Sequence, residues 1–341
     1  LALIARAPRV RKAISQQVVN QTAGSDDQQR SKLARTAYKM AHTIASDLTY
    51  RTLRVFRVFL SWFWQRIYSG INVRGLEGLA EVNDTHTLVY VPSHRSHIDY
   101  LVLSYSLFKA GVMLPHIAAG DNLNLPIVGR LLRQGGAFFM RRSFRDDPLY
   151  AAVFEEYLYR VFASGHSVEF FPEGGRSRSG RLLSPKYGLL KLCLEQQLNG
   201  LPKPLAFVPI YFGYEKVIES GSYLRELRGH AKEKENLLGI VANLQLIRQN
   251  FGQLQVNIAA PIKLDEWLQQ QSEDQEPKNS QLTALGRIIM ERINGYASVN
   301  PVNLLALVLT DRKNLTVETH ALASQIRCFQ ELATNLYGSR V

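Results

Sequence analysis

The feature that most constrains the fold is a regular alternation of short β-rich runs and helical stretches between residues 87 and 259. The runs are too short for typical helices, and polar loops separate them from the helical stretches, as expected of buried strands. The predicted strands cover residues 87–92, 136–140, 167–171, 205–212 and 254–259, after a first strand and turn within 70–79. Alternation of this kind predicts an α/β fold in which a mixed β-sheet is flanked by helices.

The segments on either side of this core have a different character. Residues 1–24 are basic without a clear period, whereas residues 26–68 and 282–341 have a helical pattern. Residues 269–281, rich in Gln, Glu, Asp, Ser and Lys, predict a solvated loop. We therefore predict a basic helical N-terminal segment over residues 1–70, an α/β domain over residues 71–265, and a linker with a helical C-terminal segment over residues 266–341.

One stretch of the N-terminal segment has two interpretations. Apolar residues recur at steps of three and four from Leu53 to Ile67, with Trp62 and Trp64 nearby and four arginines interleaved. This pattern is typical of a helix that lies in a membrane interface. It is equally typical of a helix that packs an apolar face on the core of its own domain.

Composition limits the class of partner. The chain has 41 Lys and Arg against 29 Asp and Glu, a net charge of +12, which favours nucleic acid, a membrane surface or an acidic substrate. The strongest candidate for a membrane span, Val58–Trp64, is much shorter than the ~20 apolar residues required, so a membrane contact would be peripheral. Cys193 and Cys328 form no zinc-binding pattern and indicate reduced, intracellular residues.

The sequence Ser-His-Arg-Ser-His-Ile-Asp at residues 93–99 directly follows a predicted strand, where ligand sites gather in α/β folds. Asp99 can turn back toward His94, and a carboxylate that holds the tautomer of a histidine prepares it as a general base. Without an adjacent serine nucleophile, such a pair suits deprotonation of a substrate hydroxyl that then attacks a bound acyl group. Helix capping by Asp99 and metal binding by His94, His97 and Asp99 are the alternatives, and no HExxH pattern supports a metal.

Three further motifs follow in order. Gly135–Arg142 predicts an apolar strand that ends in two arginines, which suits either a solvated strand end or an anion clamp. Phe-Phe-Pro-Glu-Gly-Gly-Arg-Ser-Arg at residues 170–178 combines glycines, which let the backbone approach a ligand, with two arginines that can fork onto a phosphate. Phe207–Ile210 is a strand interrupted by Pro209, which marks an edge, a bulge or a strand end.

Together and in this order, the four motifs resemble the glycerolipid acyltransferase family. Its signature is His-x4-Asp, an apolar strand ending in arginine, Phe-Pro-Glu-Gly-x-Arg-Ser, and a strand that contains proline. His97 and the Glu-Gly-Gly-Arg-Ser-Arg sequence at residues 173–178 resemble the bacterial, membrane-associated branch that acts on glycerol-3-phosphate. The resemblance covers most of residues 50–265. Because family members are longer and the chain begins at Leu1, we expect a catalytic-core fragment.

The resemblance implies a mechanism that needs no metal and no cofactor. His94, oriented by Asp99, would remove the proton of the 1-hydroxyl of glycerol-3-phosphate. The alkoxide would attack the thioester of acyl-CoA or acyl-carrier protein and give 1-acylglycerol-3-phosphate. The residues implied in holding the phosphate or shaping its pocket are Arg142, Glu173, Gly174, Gly175, Arg176, Arg178 and Pro209.

The resemblance also implies where the protein works and what it contacts. It implies a peripheral location on the cytoplasmic face of the inner membrane, with the membrane surface as partner. Nucleic acid is not expected, because aromatic residues are not interleaved with the basic loop as in an RNA-binding motif. Two alternatives stay open: acylation of dihydroxyacetone phosphate or lysophosphatidate by the same mechanism, and a non-catalytic, basic membrane-binding module.

Overall fold

A mixed β-sheet organises the chain. The computed structural model describes residues 1–19, 26–144, 146–230, 248–272, 278–310 and 318–337. Within these residues eight strands form one sheet: β1 Gly70–Arg74, β2 Thr87–Pro92, β3 His116–Gly120, β4 Ala137–Met140, β5 Val168–Glu169, β6 Leu205–Tyr214, β7 Gln253–Ile258 and β8 Ile262–Lys263.

Helices cover both faces of this sheet. They are α1 Ala2–Ala5, α2 Pro8–Val19, α3 Asp26–Ile44, α4 Tyr50–Ile67, α5 Leu79–Thr85, α6 Asp99–Lys109, α7 Val128–Gln134, α8 Pro148–Ala163, α9 Tyr187–Leu198, α10 Ser220–Leu227, α11 Leu264–Ser272, α12 Lys278–Gly295, α13 Pro301–Thr310 and α14 Thr319–Tyr337. A 3₁₀ turn covers Asp121–Leu123.

The strands lie in the order β1, β7, β6, β2, β5, β3, β4, and β8 also pairs with β6. The pairs among β2 to β6 are parallel, whereas β7 and β8 are antiparallel to β6. Because parallel strands end at the same edge of a sheet, the loops that follow β2, β3, β4 and β5 meet along one edge. The predicted fold class, a mixed sheet flanked by helices with helical segments at both ends, is confirmed.

Alternate residues of the central strands enter two separate cores, as the pleat of a strand requires. Val89 and Val91 of β2 contribute to a core formed with α1–α3, α8, α9 and α12. Leu88 and Tyr90 contribute to a core formed with α4 and α6. The helices α4 and α6 therefore lie on one face of the sheet, next to the loop that leaves β2.

Residues 1–24 are more regular than their sequence indicates. Although no clear period is visible in this sequence, helices α1 and α2 lie in its described part. Val10, Ile14 and Val18 recur four residues apart and are buried in the core that α2 shares with α8. The interleaved basic residues hide this narrow apolar stripe in the sequence.

The loop predicted over residues 269–281 is wrong for its described residues. Helix α11 continues to Ser272 and α12 begins at Lys278, while residues 273–277 lie outside the described residues. Helix α12 buries Leu285, Ile289 and Ile293 in the core. Tertiary packing of such a face stabilises the whole helix, including a polar first turn.

Helix α4 packs an apolar face on the core of its own domain, so this interpretation of its apolar period is correct. Leu53, Leu60, Phe63 and Ile67 are buried in the core beneath it. A different set of residues on α4 is exposed: Val55, Val58, Phe59 and Trp62, at 39–66%. Among the described residues no helix combines the length and the apolar character that crossing a bilayer would require.

Pro209 lies in the middle of β6, at a gap between two neighbouring strands. Ile210 pairs with Ile258 at the end of β7, and Phe207 pairs with Ile262 at the start of β8. Between these pairs the antiparallel ladder is interrupted. A residue without a backbone N–H fits there, which agrees with the bulge among the predicted alternatives.

Candidate active site

The loop between β2 and α6 folds back so that His94 meets Asp99, the first residue of α6. His94 Nδ1 lies 2.9 Å from Asp99 Oδ2. The same oxygen accepts hydrogen bonds from the backbone N–H groups of Arg95 and Ser96, at 2.7 and 2.9 Å. Asp99 therefore fixes the conformation of the loop that carries His94, in addition to starting the helix.

Tyr214, at the end of β6, completes the surroundings of the fully buried Asp99. Its hydroxyl donates a hydrogen bond to Asp99 Oδ1 at 2.5 Å. Burial and then the Asp99 charge raise the pKa of Tyr214 well above its usual value, so the hydroxyl keeps its proton. Donors from His94, Arg95, Ser96 and Tyr214 thus compensate for burial of the carboxylate.

The His94 ring is held on two sides. It stacks on Phe171, with ring centroids 3.8 Å apart and planes at 20°. Since Nδ1 faces Asp99, Nε2 is the ring nitrogen left for a substrate. The arrangement gives His94 one orientation and one free nitrogen, as a general base requires.

An apolar cavity of about 1050 Å³, counting its open mouth, lies beside the His94 ring. His94, His97 and Phe171 line one part of it, and residues of α4, α6, β3 and α7 line much of the rest. The apolar side chains of its wall include Leu53, Phe56, Leu60, Leu101, Phe108, Leu114, Ile117, Ala118, Ala119, Leu123, Leu132 and Ala137. The cavity can hold a long apolar group whose reactive end lies near His94.

Glu173 connects the loop after β5 to the loop that carries His94. Its Oε1 accepts a hydrogen bond from the His94 N–H at 2.7 Å, and its Oε2 accepts one from the Leu183 N–H at 2.7 Å. Burial raises the pKa of Glu173, and these two hydrogen bonds oppose that effect. Both oxygens are therefore bound to backbone, an arrangement that holds the two loops together.

The two glycines after Glu173 differ in what they do. Gly174 has a φ of +63°, and a Cβ atom there would lie 2.7 Å from the Lys186 side chain. Glycine is therefore needed at this turn. A Cβ atom on Gly175 would meet no described residue within 4 Å, so this side of the loop has space for a ligand.

The arginine loop is joined directly to the loop of the candidate base. The Ser177 N–H donates to the His94 carbonyl oxygen at 2.9 Å, so Arg176 and Arg178 flank the residue that contacts His94. Arg176 Nη1 donates to the Tyr223 hydroxyl at 2.9 Å and lies 3.5 Å from Glu219 Oε1. Arg178 forms an ion pair with Glu226.

Three residues in and before α10 form hydrogen bonds with these loops, although no sequence motif assigned them to the site. Glu219 accepts hydrogen bonds from Ser96 Oγ at 2.7 Å and from the His97 N–H at 2.8 Å. The Tyr223 hydroxyl donates to the Arg95 carbonyl oxygen at 3.0 Å. Glu226 Oε2 accepts from Arg178 Nε at 3.1 Å. Their spacing of four and three residues puts them on one helix face, and that spacing is the signal that could have indicated them.

Arg142 and Pro209 lie apart from this cluster. Arg142 follows β4, is exposed, and has no polar partner among the described residues. Three strand spacings, about 14 Å, separate β4 from β2. Pro209 is buried within the sheet and pairs in register with Val91 of β2, below the loop rather than in it. The structure thus brings together His94, Asp99 and the 173–178 loop, but not Arg142.

Two protein-family models match the chain. Residues 70–213 match the family described as acyltransferase, and residues 223–340 match the family described as glycerol-3-phosphate acyltransferase C-terminal region. Among the described residues of the site, His94, Asp99 and the 173–178 loop fall in the first match, whereas Tyr223 and Glu226 fall in the second. The candidate site therefore draws on both matched regions.

Relatives with curated descriptions are similar over nearly the whole chain. A glycerol-3-phosphate acyltransferase of Ectopseudomonas mendocina is 46% identical over 93% of this chain and 39% of its own length. One of Pseudomonas fluorescens is 44% identical over 95% of this chain and 40% of its own. The chain thus spans about two fifths of these relatives. A solved structure, the 1-acyl-sn-glycerophosphate acyltransferase of Thermotoga maritima, aligns with 86% of this chain and 93% of its own, at 15% identity and a TM-score of 0.40.

Proposed function

We propose that the chain acylates the 1-hydroxyl of glycerol-3-phosphate, because it is similar to bacterial glycerol-3-phosphate acyltransferases and residues 70–213 match the acyltransferase family. The acyl donor is acyl-CoA or acyl-carrier protein, and the product is 1-acylglycerol-3-phosphate. Residues 71–265 form the catalytic domain in this proposal, between the N-terminal segment 1–70 and the C-terminal segment 266–341.

The observation that carries the proposal is the contact between His94 Nδ1 and the buried Asp99 Oδ2 at 2.9 Å. The carboxylate favours the tautomer with hydrogen on Nδ1, which leaves Nε2 unprotonated and able to accept a proton. It also stabilises the imidazolium that forms when Nε2 accepts one. Those are the two requirements for a base that activates an alcohol.

The reaction then proceeds by direct transfer. His94 Nε2 takes the proton from the 1-hydroxyl, and the oxygen attacks the thioester carbonyl carbon. Collapse of the tetrahedral intermediate breaks the carbon–sulfur bond, and the leaving thiolate receives the proton from the His94 imidazolium. The acceptor oxygen ends as an ester and the donor as a free thiol, so no protein nucleophile is required.

The arginine loop supplies recognition of the acceptor phosphate. Arg176 and Arg178 flank Ser177, whose N–H is bonded to the His94 carbonyl oxygen, so positive charge lies close to the base. Planar guanidinium groups bind phosphate oxygens through paired hydrogen bonds. Glu173, Gly174 and Gly175 shape the same loop, whereas Pro209 lies below it in the sheet, beside the strand that carries the His94 loop. Arg142 would have to approach along the sheet edge to join them.

The apolar cavity beside His94 holds the acyl chain. Each CH₂ group that moves from water into such a wall contributes about 0.8 kcal/mol. A fatty acyl chain therefore gains much of its binding free energy there, and its thioester carbonyl comes to lie next to His94 and His97.

We also propose peripheral binding to a membrane, on the cytoplasmic face of the inner membrane. Helix α4 lines the cavity with Leu53, Phe56 and Leu60 and exposes a second apolar set to solvent. Leu125 and Ile127, which lie in the chain between the cavity-lining Leu123 and helix α7, are also exposed, at 54% and 84%. Apolar side chains around a lipid-binding cavity suit a surface that rests in a bilayer interface.

The proposal is tested by acyl transfer with the chain in lipid vesicles. Glycerol-3-phosphate, dihydroxyacetone phosphate and lysophosphatidate are compared as acceptors, each with acyl-CoA and with acyl-carrier protein. We expect glycerol-3-phosphate to give the highest kcat/KM. His94→Ala should lower kcat by about 100- to 10,000-fold, the usual contribution of a general base. His42→Ala, at an exposed histidine of α3, is the matched control. Acylation of lysophosphatidate but not of glycerol-3-phosphate would contradict the proposal.

A further inference from the structure

The proposed phosphate site is not an open positive pocket in the free protein. Arg176 lies beside Glu219 and Arg178 beside Glu226. Further in, the charge of Glu173 interacts with that of Arg95, and Asp99 accepts a hydrogen bond from the Arg95 backbone N–H. Among the described residues named here, four carboxylates therefore lie together with three guanidinium groups. A phosphate dianion would be repelled unless one carboxylate moves away.

Three of these carboxylates are held firmly. Asp99 accepts from two backbone N–H groups, His94 and Tyr214. Glu173 accepts from two backbone N–H groups, and Glu219 accepts from one N–H and one hydroxyl. Each of the three is buried. Removing one of them from its donors would leave buried polar groups unsatisfied, which costs about 1–3 kcal/mol per group.

Glu226 differs in both respects. Its carboxylate accepts a hydrogen bond from Arg178, at 3.1 Å, and has no other polar partner among the described residues. The side chains of this pair are 17% and 21% exposed, against 2% and 10% for Glu219 and Arg176. Glu226 can therefore turn into solvent without breaking a second contact.

Arg178 would keep its place if Glu226 left. Its Nη1 donates to the Arg176 carbonyl oxygen at 2.6 Å, and its guanidinium lies 5.4 Å from the centre of the Tyr223 ring. These contacts do not involve Glu226. Departure of the carboxylate would therefore uncover a positioned cation next to the His94 loop.

We propose that Glu226 determines acceptor specificity: its carboxylate occupies Arg178 in the free protein and is exchanged for the phosphate of the acceptor. The inference rests on the proposed function and adds the group that phosphate must displace. A phosphomonoester dianion competes well with a single carboxylate, because it brings more charge and three acceptor oxygens. A neutral alcohol such as glycerol does not displace Glu226 and finds Arg178 occupied.

The test replaces the Glu226 carboxylate by an uncharged amide of the same shape. Glu226→Gln should lower the KM for glycerol-3-phosphate and the Kd for inorganic phosphate, each by about two- to fivefold, because a partly exposed ion pair no longer competes. The value of kcat should stay within about twofold. Glu195→Gln, which neutralises an exposed partner of Lys191 on α9, is the matched control and should change neither constant.

A double-mutant cycle shows whether the effect passes through Arg178. Arg178→Ala should raise the KM, and Glu226→Gln should have no further effect in that background. An unchanged or raised KM and Kd in Glu226→Gln would overturn the inference, as would a full effect without Arg178. Glu226→Ala removes the same charge by a second substitution. Circular dichroism of every variant shows whether it is folded. If the parent chain does not acylate glycerol-3-phosphate, the proposed function fails. The Kd for inorganic phosphate, measured by calorimetry, still shows whether Glu226 competes with phosphate for Arg178.

Discussion

The carboxylate of Glu173 accepts a hydrogen bond from the backbone N–H of His94 at 2.7 Å, although 79 residues separate the two in the chain. Its other oxygen holds the backbone of Leu183. The sequence motif implied a role for Glu173 in the acceptor pocket. The geometry adds a second role, because the residue fixes the main chain that carries the candidate base.

Substituting Glu173 distinguishes these two roles. Glu173→Gln keeps the shape but turns one acceptor into a donor facing a backbone N–H, so the His94 loop should lose its position. We expect kcat to fall by about 10- to 100-fold, the equivalent of a lost hydrogen bond to a charged group. The KM for glycerol-3-phosphate should change by less than about threefold. Steady-state kinetics with varied acceptor gives both values, and a large rise in KM with normal kcat would point to the pocket role instead.

The sequence was informative where chemistry is local. The strand Thr87–Pro92 was predicted with its observed bounds, because it is a continuous β-rich run followed by a polar loop. The pairing of His94 with Asp99 was also predictable, since a five-residue loop brings them within reach. Strand β3 was not predicted, because its sequence His-Ile-Ala-Ala-Gly contains a single β-branched residue. Helix α7 was not predicted, because its seven residues are too few to establish a period.

Contacts between distant segments could not be predicted in the same way. Glu219 and Tyr223 reach the His94 loop only because β6 lies beside β2 and delivers α10 to that edge. Nothing in the spacing along the chain indicates this neighbourhood. The apolar period of α4 likewise could not show which apolar residues would be buried and which exposed, since both sets lie on the same helix.

A buried acid outside the site makes stability depend on pH. Glu169 of β5 is fully buried, and neither of its carboxylate oxygens has a partner among the described residues. Burial, followed by the Asp99 charge, raises the pKa of Glu169 well above its usual value. The folded chain therefore keeps this proton at a pH at which the unfolded chain has lost it.

The consequence is a loss of stability as pH rises above the ordinary glutamate range and toward the folded-state pKa. Over that window the loss is about 1.4 kcal/mol for each pH unit. Glu169→Gln removes this dependence, so the variant should gain on the parent chain in free energy of unfolding between pH 5.5 and pH 8. Urea unfolding at both pH values gives the free energy of unfolding of the variant and of the parent chain, and the difference between them should grow from pH 5.5 to pH 8. Glu195→Gln is the exposed control. Parallel pH dependence in parent and variant would contradict a buried, protonated Glu169.

The cavity predicts control of acyl-chain length by bulk. Ser104 of α6 lines it, and leucine there would extend into the space beside the apolar wall. Ser104→Leu should shift the preferred acyl donor to a chain shorter by at least two carbons, because each displaced CH₂ forfeits about 0.8 kcal/mol. Ser104→Ala, which removes the hydroxyl without adding volume, should keep the parent preference. Competition between acyl-CoA species of different length measures the preference of both variants. An unchanged preference in Ser104→Leu would show that the acyl group does not bind in this cavity.

The exposed apolar residues of α4 predict a membrane-binding surface that is separable from folding. Val55 and Val58 are 65% and 66% exposed, so replacing both by serine removes little buried area from the core. If their side chains enter the interface, the double variant should bind vesicles of phosphatidylglycerol and phosphatidylethanolamine about tenfold more weakly. Val19→Ser, at a residue of α2 that is 81% exposed, controls for loss of surface apolarity in general. Vesicle flotation compares the variants at equal salt. Equal flotation of the double variant and the parent chain would show that α4 only packs, because a bilayer contact must weaken when its apolar residues become polar.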